Sequence, residues 1–168
     1  MKRALVGLAV AAVLLTALPL AAQTGTWTAV ASTGVVDESA VGIYAFGTTD
    51  LGYLAGSPSV APIVARYNVT NTLGGGVSDM PPWTILELGS INPSVSSSVT
   101  ATLFQVDPCT GAQVPLCTVT SGLSTTGVCK TCQFAPNINF ASKLYYVQVT
   151  IARSSAGLQP RALTLRIH

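Results

Sequence analysis

The chain has 168 residues, and only 8% of them are Asp, Glu, Lys or Arg, where about a quarter is usual. Two of its eight basic residues, Lys2 and Arg3, lie at the N-terminus, so residues 23–168 carry six basic and six acidic residues. Binding to a nucleic-acid backbone requires clustered positive charge, and this even balance therefore argues against nucleic acid as a partner. The hydrophobic fraction of 49% is too high for a disordered chain.

The N-terminal segment has the pattern of a secretory signal peptide. Met1-Lys2-Arg3 is followed by an apolar run that ends in the small residues Ala21 and Ala22. Pro19 interrupts this run before it reaches the about 20 apolar residues of a membrane-spanning helix. We therefore predict a signal peptide over residues 1–22 and no membrane span after its removal. The predicted location is secreted, extracellular or at the cell surface, with the periplasm as an alternative.

Apolar and polar residues alternate along most of the remaining chain, which is typical of β-strands with one buried face. The alternation is clearest in residues 63–70, 144–151 and 162–168. Within the second of these it predicts that Tyr145 and Val147 face the core and that Tyr146 faces the opposite way. Further strands are predicted over residues 26–31, 41–47, 83–88, 98–106, 114–120 and 127–134.

Turn-like clusters, among them residues 48–52 and the glycines at residues 74–76, separate these segments, and the helical period is almost absent after the signal peptide. Many short strands with turns between them and no crossover helices indicate an antiparallel architecture. We predict an all-β fold, an antiparallel two-sheet β-sandwich of Ig-like or jelly-roll-like type with eight to nine strands. Residues 34–168 form its single domain, and residues 23–33 form an N-terminal arm or a first strand.

Four cysteines lie in the second half of the chain, at Cys109, Cys117, Cys129 and Cys132. An even number of cysteines in an exported chain favours disulfides. We favour Cys109–Cys117 with Cys129–Cys132, because turn residues 107–111 bring the first pair together across a hairpin. The nested pairing, Cys109–Cys132 with Cys117–Cys129, fits nearly as well. A four-thiolate zinc site is disfavoured by the seven residues between the first two cysteines.

The sequence contains no credible catalytic constellation, and we predict no enzymatic activity, no metal and no cofactor. The only histidine is the last residue, His168, and no G-x-S-x-G motif is present. Most of the six acidic residues lie in turn-like stretches, and their spacing does not match an EF-hand. These residues are Asp37, Glu38, Asp50, Asp79, Glu87 and Asp107.

Two functions outside the cell fit these features. The first is a non-enzymatic structural or interaction component of the cell exterior that assembles with itself or with other envelope proteins by strand addition, because few charges protect its strand edges. The alternative is a carbohydrate- or ligand-binding module, in which exposed aromatic residues stack on sugar rings. Tyr146 and Trp83 are the candidate binding residues, and Tyr146 is the better one because it faces away from the predicted core.

Three stretches together carry a family resemblance: residues 31–38, residues 64–70, and residues 144–149 with Gly157-Leu158 and the closing strand 163–167. They resemble a loose group of exported bacterial proteins of unassigned function, each a small all-β domain behind a signal peptide. The resemblance implies the fold and the export, and it carries no binding or catalytic residues. The two cysteine pairs look like local additions in this chain.

Overall fold

The computed structural model of the protein describes residues 25–72 and 79–168. The predicted signal peptide at residues 1–22 and the glycine cluster at residues 74–76 lie outside these described residues. Among these described residues, we find no helix that could span a lipid bilayer.

The described residues form eleven strands and two one-turn 3-10 helices, at Ala31–Thr33 and Glu38–Ala40. The strands are β1 (Trp27–Val30), β2 (Val35–Val36), β3 (Tyr44–Phe46), β4 (Leu51–Tyr53), β5 (Ile63–Val69), β6 (Ile85–Asn92), β7 (Ser97–Val106), β8 (Gln113–Thr120), β9 (Ser124–Gln133), β10 (Leu144–Arg153) and β11 (Arg161–Ile167).

The strands are arranged in two antiparallel sheets. The first sheet has the order β3-β4-β11-β6-β9, and β1 also pairs with β11. The second sheet has the order β2-β5-β10-β7-β8. The predicted all-β, two-sheet antiparallel sandwich is therefore confirmed, with two more short strands, β2 and β4, than the sequence pattern indicated.

The core lies between the two sheets and consists of the inward-facing residues of their strands. Along β10, every second residue from Tyr145 to Ile151 is buried, and the residues between them are only partly buried. In β5 the buried residues likewise alternate from Ile63 to Val69. This confirms the predicted alternation, because a strand with one face on the core buries every second side chain.

The short strand β4 differs from the prediction, which placed residues 48–52 in a turn. The turn is real but shorter, because the amide of Gly47 donates to the carbonyl of Asp50 at 2.8 Å and closes a hairpin between β3 and β4. Leu51 and Gly52 then pair with the start of β11. Three residues are too few for an alternating pattern to be recognised in sequence.

The disulfide differs from both predicted pairings, which are wrong. Cys117 of β8 is bonded to Cys132 of β9, and their Cα atoms are 6.1 Å apart. Cys109 and Cys129 are exposed free thiols. The physical reason is that β8 and β9 are the edge strands of different sheets on the same side of the sandwich. Cys132 is three residues from Cys129, so the two side chains point to opposite faces of β9.

A buried arginine holds two loops at one end of the sandwich. The side chain of Arg153, at the end of β10, is 4% exposed and donates to the carbonyls of Ser57, Ser59, Ala156 and Leu158 at 2.7–3.0 Å. Its guanidinium lies 3.7 Å from the centre of a tyrosine ring in β4. A buried cation needs such partners, and here the backbone supplies them.

Candidate functional site

The two predicted binding residues lie in different environments. Trp83 is 1% exposed, and its Nε1 donates to the carbonyl of Gly25. Its ring packs edge-on against Phe140. The prediction that Trp83 is a surface binding residue is therefore wrong, because the chain just before β6 turns this side chain into the core. Tyr146 lies on the outer face of the second sheet and is partly exposed.

The register of the second sheet brings a row of residues together on that outer face. Tyr146 of β10 pairs with Asn68 of β5 on one side and with Phe104 of β7 on the other. Phe104 in turn pairs with Pro115 of β8. Since Asn68, Phe104 and Tyr146 alternate with buried residues along their strands, these three side chains point away from the core. Pro115 is exposed.

Phe104 and Tyr146 form a stacked aromatic pair. Their ring centroids are 5.0 Å apart and the ring planes are inclined by only 12°. The hydroxyl of Tyr146 donates to Oε1 of Gln113, at the start of β8, at 2.6 Å. Phe104 was not predicted as a binding residue from the sequence. The signal was present, since Leu103 follows the inward alternation of β7 and its neighbour Phe104 must therefore face outward.

A second row, made of polar residues, runs beside the aromatic one. Gln148 of β10 pairs with Arg66 of β5 and with Thr102 of β7, and Thr102 pairs with Thr118 of β8. The hydroxyls of Thr102 and Thr118 are 3.0 Å apart and share a hydrogen bond. This row therefore offers amide and hydroxyl groups that both donate and accept hydrogen bonds.

The positive charge on this face is matched by a carboxylate. Nη1 of Arg66 lies 3.4 Å from Oδ2 of Asp37, and both side chains are partly exposed. The backbone N–H and the hydroxyl of Ser39 hold the pKa of Asp37 below its usual value, and Arg66 adds to this effect. Asp37 therefore stays ionised, and the face around the aromatic pair carries no net charge.

The turn between β7 and β8 fixes the position of Gln113. Oδ1 of Asp107 accepts from the amides of Cys109 and Thr110, both at 3.0 Å, and Oδ2 accepts from Nζ of Lys143 at 2.7 Å. The Lys143 ammonium is the main reason that the pKa of Asp107 is lowered, and the Thr110 and Cys109 amides contribute further. The amide of Asp107 donates to the carbonyl of Ala112 at 2.9 Å, which places the next residue at the start of β8.

The outer face of the second sheet offers groups that stack and that form hydrogen bonds. Its groups are two aromatic rings, amides, hydroxyls and one paired guanidinium. Within residues 25–72 and 79–168, no group of three or more His, Cys, Asp or Glu side chains could hold a metal ion. His168 is in the other sheet, where its backbone pairs with Ile85 and its Nε2 is buried without a partner among the described residues.

No protein-family model matches the chain, and no curated protein matches it. Similar solved structures include the isomalto-dextranase of Arthrobacter globiformis T6 complexed with panose, at 13% identity and a TM-score of 0.49, with 86% of this chain and 23% of that chain covered. The module TmCBM61 in complex with beta-1,4-galactotriose is 7% identical, with a TM-score of 0.43 and coverages of 85% and 87%. The K1 cleaved adhesin domain of Lys-gingipain from Porphyromonas gingivalis W83 is 11% identical, with a TM-score of 0.39 and coverages of 86% and 98%. This chain thus spans about a quarter of the dextranase, and these likenesses are too distant to place it in a family.

Proposed function

We propose that the protein binds a neutral carbohydrate through the outer face of its second sheet, without acting on it chemically. The observation that carries this proposal is the stacked pair of Phe104 and Tyr146 beside a row of amides and hydroxyls. A sugar ring has an apolar C–H face that packs on an aromatic ring and a rim of hydroxyls that bonds to polar side chains. Both kinds of partner lie side by side on this face.

The electrostatics favour a neutral ligand over an acidic one. Arg66 is the basic residue at the β5 end of the polar row, and its guanidinium already forms an ion pair with Asp37. Gln148, Thr102 and Thr118 are uncharged. An acidic polysaccharide would have to compete with Asp37 for Arg66, whereas neutral hydroxyl groups bond to the amide and the hydroxyls directly.

The direction of the two rows favours an extended chain over a single sugar. Each row crosses β5, β10, β7 and β8, and neighbouring strands lie about 4.8 Å apart. A chain of pyranose rings that lies across the strands therefore meets the aromatic row along one side and the polar row along the other. The sheet surface supports such a ligand over several units.

The location outside the cell belongs to the same proposal. The Cys117–Cys132 disulfide supports it, because disulfides persist in oxidising compartments such as the periplasm or the cell exterior. Glycans of the envelope or of the surroundings are accessible there.

A structural role through strand addition stays a prediction, and one observation favours it. β9 is the edge of the first sheet, and Lys130 is the only charged residue among its ten. An edge strand with so little charge can pair readily with a strand of another molecule. Sedimentation velocity of the purified protein distinguishes this role, since a strict monomer at high concentration contradicts it.

Carbohydrate binding is tested with soluble neutral polysaccharides, namely dextran, xylan, galactan and β-glucan, alongside the acidic polygalacturonate. We expect affinity electrophoresis to show retardation by at least one neutral polymer. Tyr146→Ala and Phe104→Ala should each weaken it at least about tenfold, which corresponds to about 1.4 kcal/mol.

Phe46→Ala is the matched control, because Phe46 is an exposed aromatic residue that belongs to the first sheet. It should bind like the unmodified protein. Thermal melts establish that each variant is folded. The proposal is contradicted if none of the neutral polymers binds, or if binding survives both substitutions on the second sheet.

A further inference from the structure

A separate cleft lies on the outer face of the first sheet. It is formed where β1 pairs with β11 and has a volume of about 650 Å³. The polar side chains that line it include Thr28, Thr164, Glu87 and Arg166. This volume falls within the range of small-molecule sites, and the cleft shares no residue with the aromatic face of the second sheet.

The register explains why these side chains converge. Arg166 of β11 pairs with Thr28 of β1 on one side and with Glu87 of β6 on the other. The three residues therefore lie in one row across three strands. Thr164 lies two residues from Arg166 along the same face of β11.

Four polar side chains in the cleft are not used by the fold. The side chains of Thr28, Thr164, Glu87 and Arg166 make no hydrogen bond or ion pair with any residue in the described parts of the chain. Glu87 and Arg166 are direct cross-strand neighbours, a position in which opposite charges usually pair. Their hydrogen-bonding capacity is instead open to the cleft.

A glycine and a strand irregularity lie beside the cleft. Gly89 is in the interior of β6, where glycine weakens a strand and often marks a close approach. A Cβ at this position would collide with Oγ1 of Thr164. The pairing of β11 with β6 shifts register between Ala162 and Thr164, and such bulges redirect side chains near binding sites. Gly89 thus leaves room for the Thr164 hydroxyl.

We infer that this cleft is a second binding site, for a small neutral polyhydroxylated molecule the size of a monosaccharide or disaccharide. The Glu87 carboxylate accepts hydrogen bonds from two adjacent hydroxyls, and the Arg166 guanidinium donates to hydroxyl or ring oxygens. The threonine hydroxyls do both. An anion would meet the Glu87 carboxylate and a cation would meet the Arg166 guanidinium, so the pair of opposite charges favours an uncharged ligand.

The test is a titration of the full chain with D-glucose, D-galactose, D-xylose and cellobiose, followed by ¹H–¹⁵N correlation spectra. We expect at least one sugar to shift the amides of Thr28, Glu87, Gly89 and Thr164 in a saturable way. Glu87→Gln and Arg166→Met should each weaken this binding at least about tenfold, or about 1.4 kcal/mol.

Two control variants separate this site from the second sheet. Tyr146→Ala should leave the shifts in the cleft unchanged, and Glu38→Gln removes an exposed carboxylate outside the cleft and should also leave them unchanged. The inference is overturned if no sugar gives saturable shifts at these four amides, or if the shifts persist in both the Glu87 and Arg166 variants. Shifts confined to Tyr146 and Gln148 would support the carbohydrate-binding face alone and would overturn the cleft.

Discussion

The hydroxyl of Tyr146 reaches across β7 to the side-chain oxygen of Gln113 in β8, at 2.6 Å, while the Tyr146 ring stacks on Phe104 of the strand between them. One side chain thus spans three strands. The hydrogen bond fixes the ring in the position that we propose for sugar stacking, and the two roles of the residue can be separated by substitution.

We predict that Tyr146→Phe keeps the stacked pair, loses the hydrogen bond and weakens polysaccharide binding about fivefold, because one such bond is worth about 1 kcal/mol. Gln113→Ala should have the same effect. Since both changes remove the same contact, the double variant should be no weaker than either single one. Affinity electrophoresis measures all three, and losses that add up in the double variant would contradict the role of this bond.

We predict that removing the Cys117–Cys132 disulfide lowers the free energy of unfolding by about 3 kcal/mol, since it closes a loop of 15 residues. Denaturant titration of a Cys117→Ser, Cys132→Ser double variant measures the loss. Cys109→Ser, which changes an exposed free thiol, is the control and should unfold like the unmodified protein. Equal stability of the control and the double variant would argue against the bridge.

We predict that Arg153→Met lowers the free energy of unfolding by about 3 kcal/mol or more, because it leaves the carbonyls that Arg153 now holds without a partner. Arg161→Met is the matched control. Arg161 forms an exposed ion pair with Asp50 at 3.0 Å, and such pairs contribute less than about 1 kcal/mol. Chemical denaturation measures the free energy of unfolding of the two variants. A similar loss for both would contradict the role of Arg153 in holding the two loops.

We predict that Asp107 makes the turn between β7 and β8 sensitive to acid. Because its pKa in the folded protein is lowered from the usual 3.8, the unfolded chain takes up the proton first. The contribution of Asp107 to stability is therefore present above about pH 4 and is lost as the pH falls further. The carboxylate is partly exposed, so the effect is small and decreases with added salt.

The check is a comparison of thermal melts for the unmodified protein and Asp107→Asn. The variant should melt at a lower temperature at pH 7, and the difference between the two melting temperatures should shrink steadily as the pH falls below about 4. Lys143→Met should reproduce part of the loss at pH 7. A difference in melting temperature that is independent of pH would contradict this assignment.

The central strands could be predicted from the sequence because each has one face on the core. In β5 and β10 a buried residue recurs at every second position, and this local pattern is enough to place both strands and their inward residues. The shortest strands show the opposite case. β2 and β4 are two and three residues long, and their pairing depends on β5 and β11, which are distant in sequence.

Only part of the proposed binding face was predicted from the sequence. Tyr146 follows from the alternation of β10, and the same rule applied to β7 would have given Phe104. The prediction for Trp83 failed because this residue lies before β6, in a stretch without alternation. There the sequence does not indicate whether an aromatic side chain faces the core or the solvent. The disulfide could not be predicted, since the neighbourhood of Cys117 and Cys132 arises from the order of strands in two sheets.

The covalent link between β8 and β9 also makes the two long sides of the sandwich unequal. On this side the disulfide prevents the two sheets from separating, while on the opposite side β2 and β3 are held by hydrogen bonds and packing alone. We therefore expect any opening of the sandwich to occur on the side of β2 and β3, away from the disulfide. The aromatic pair on β7 and β10 lies nearer to the linked strand β8 than to the edge strand β2.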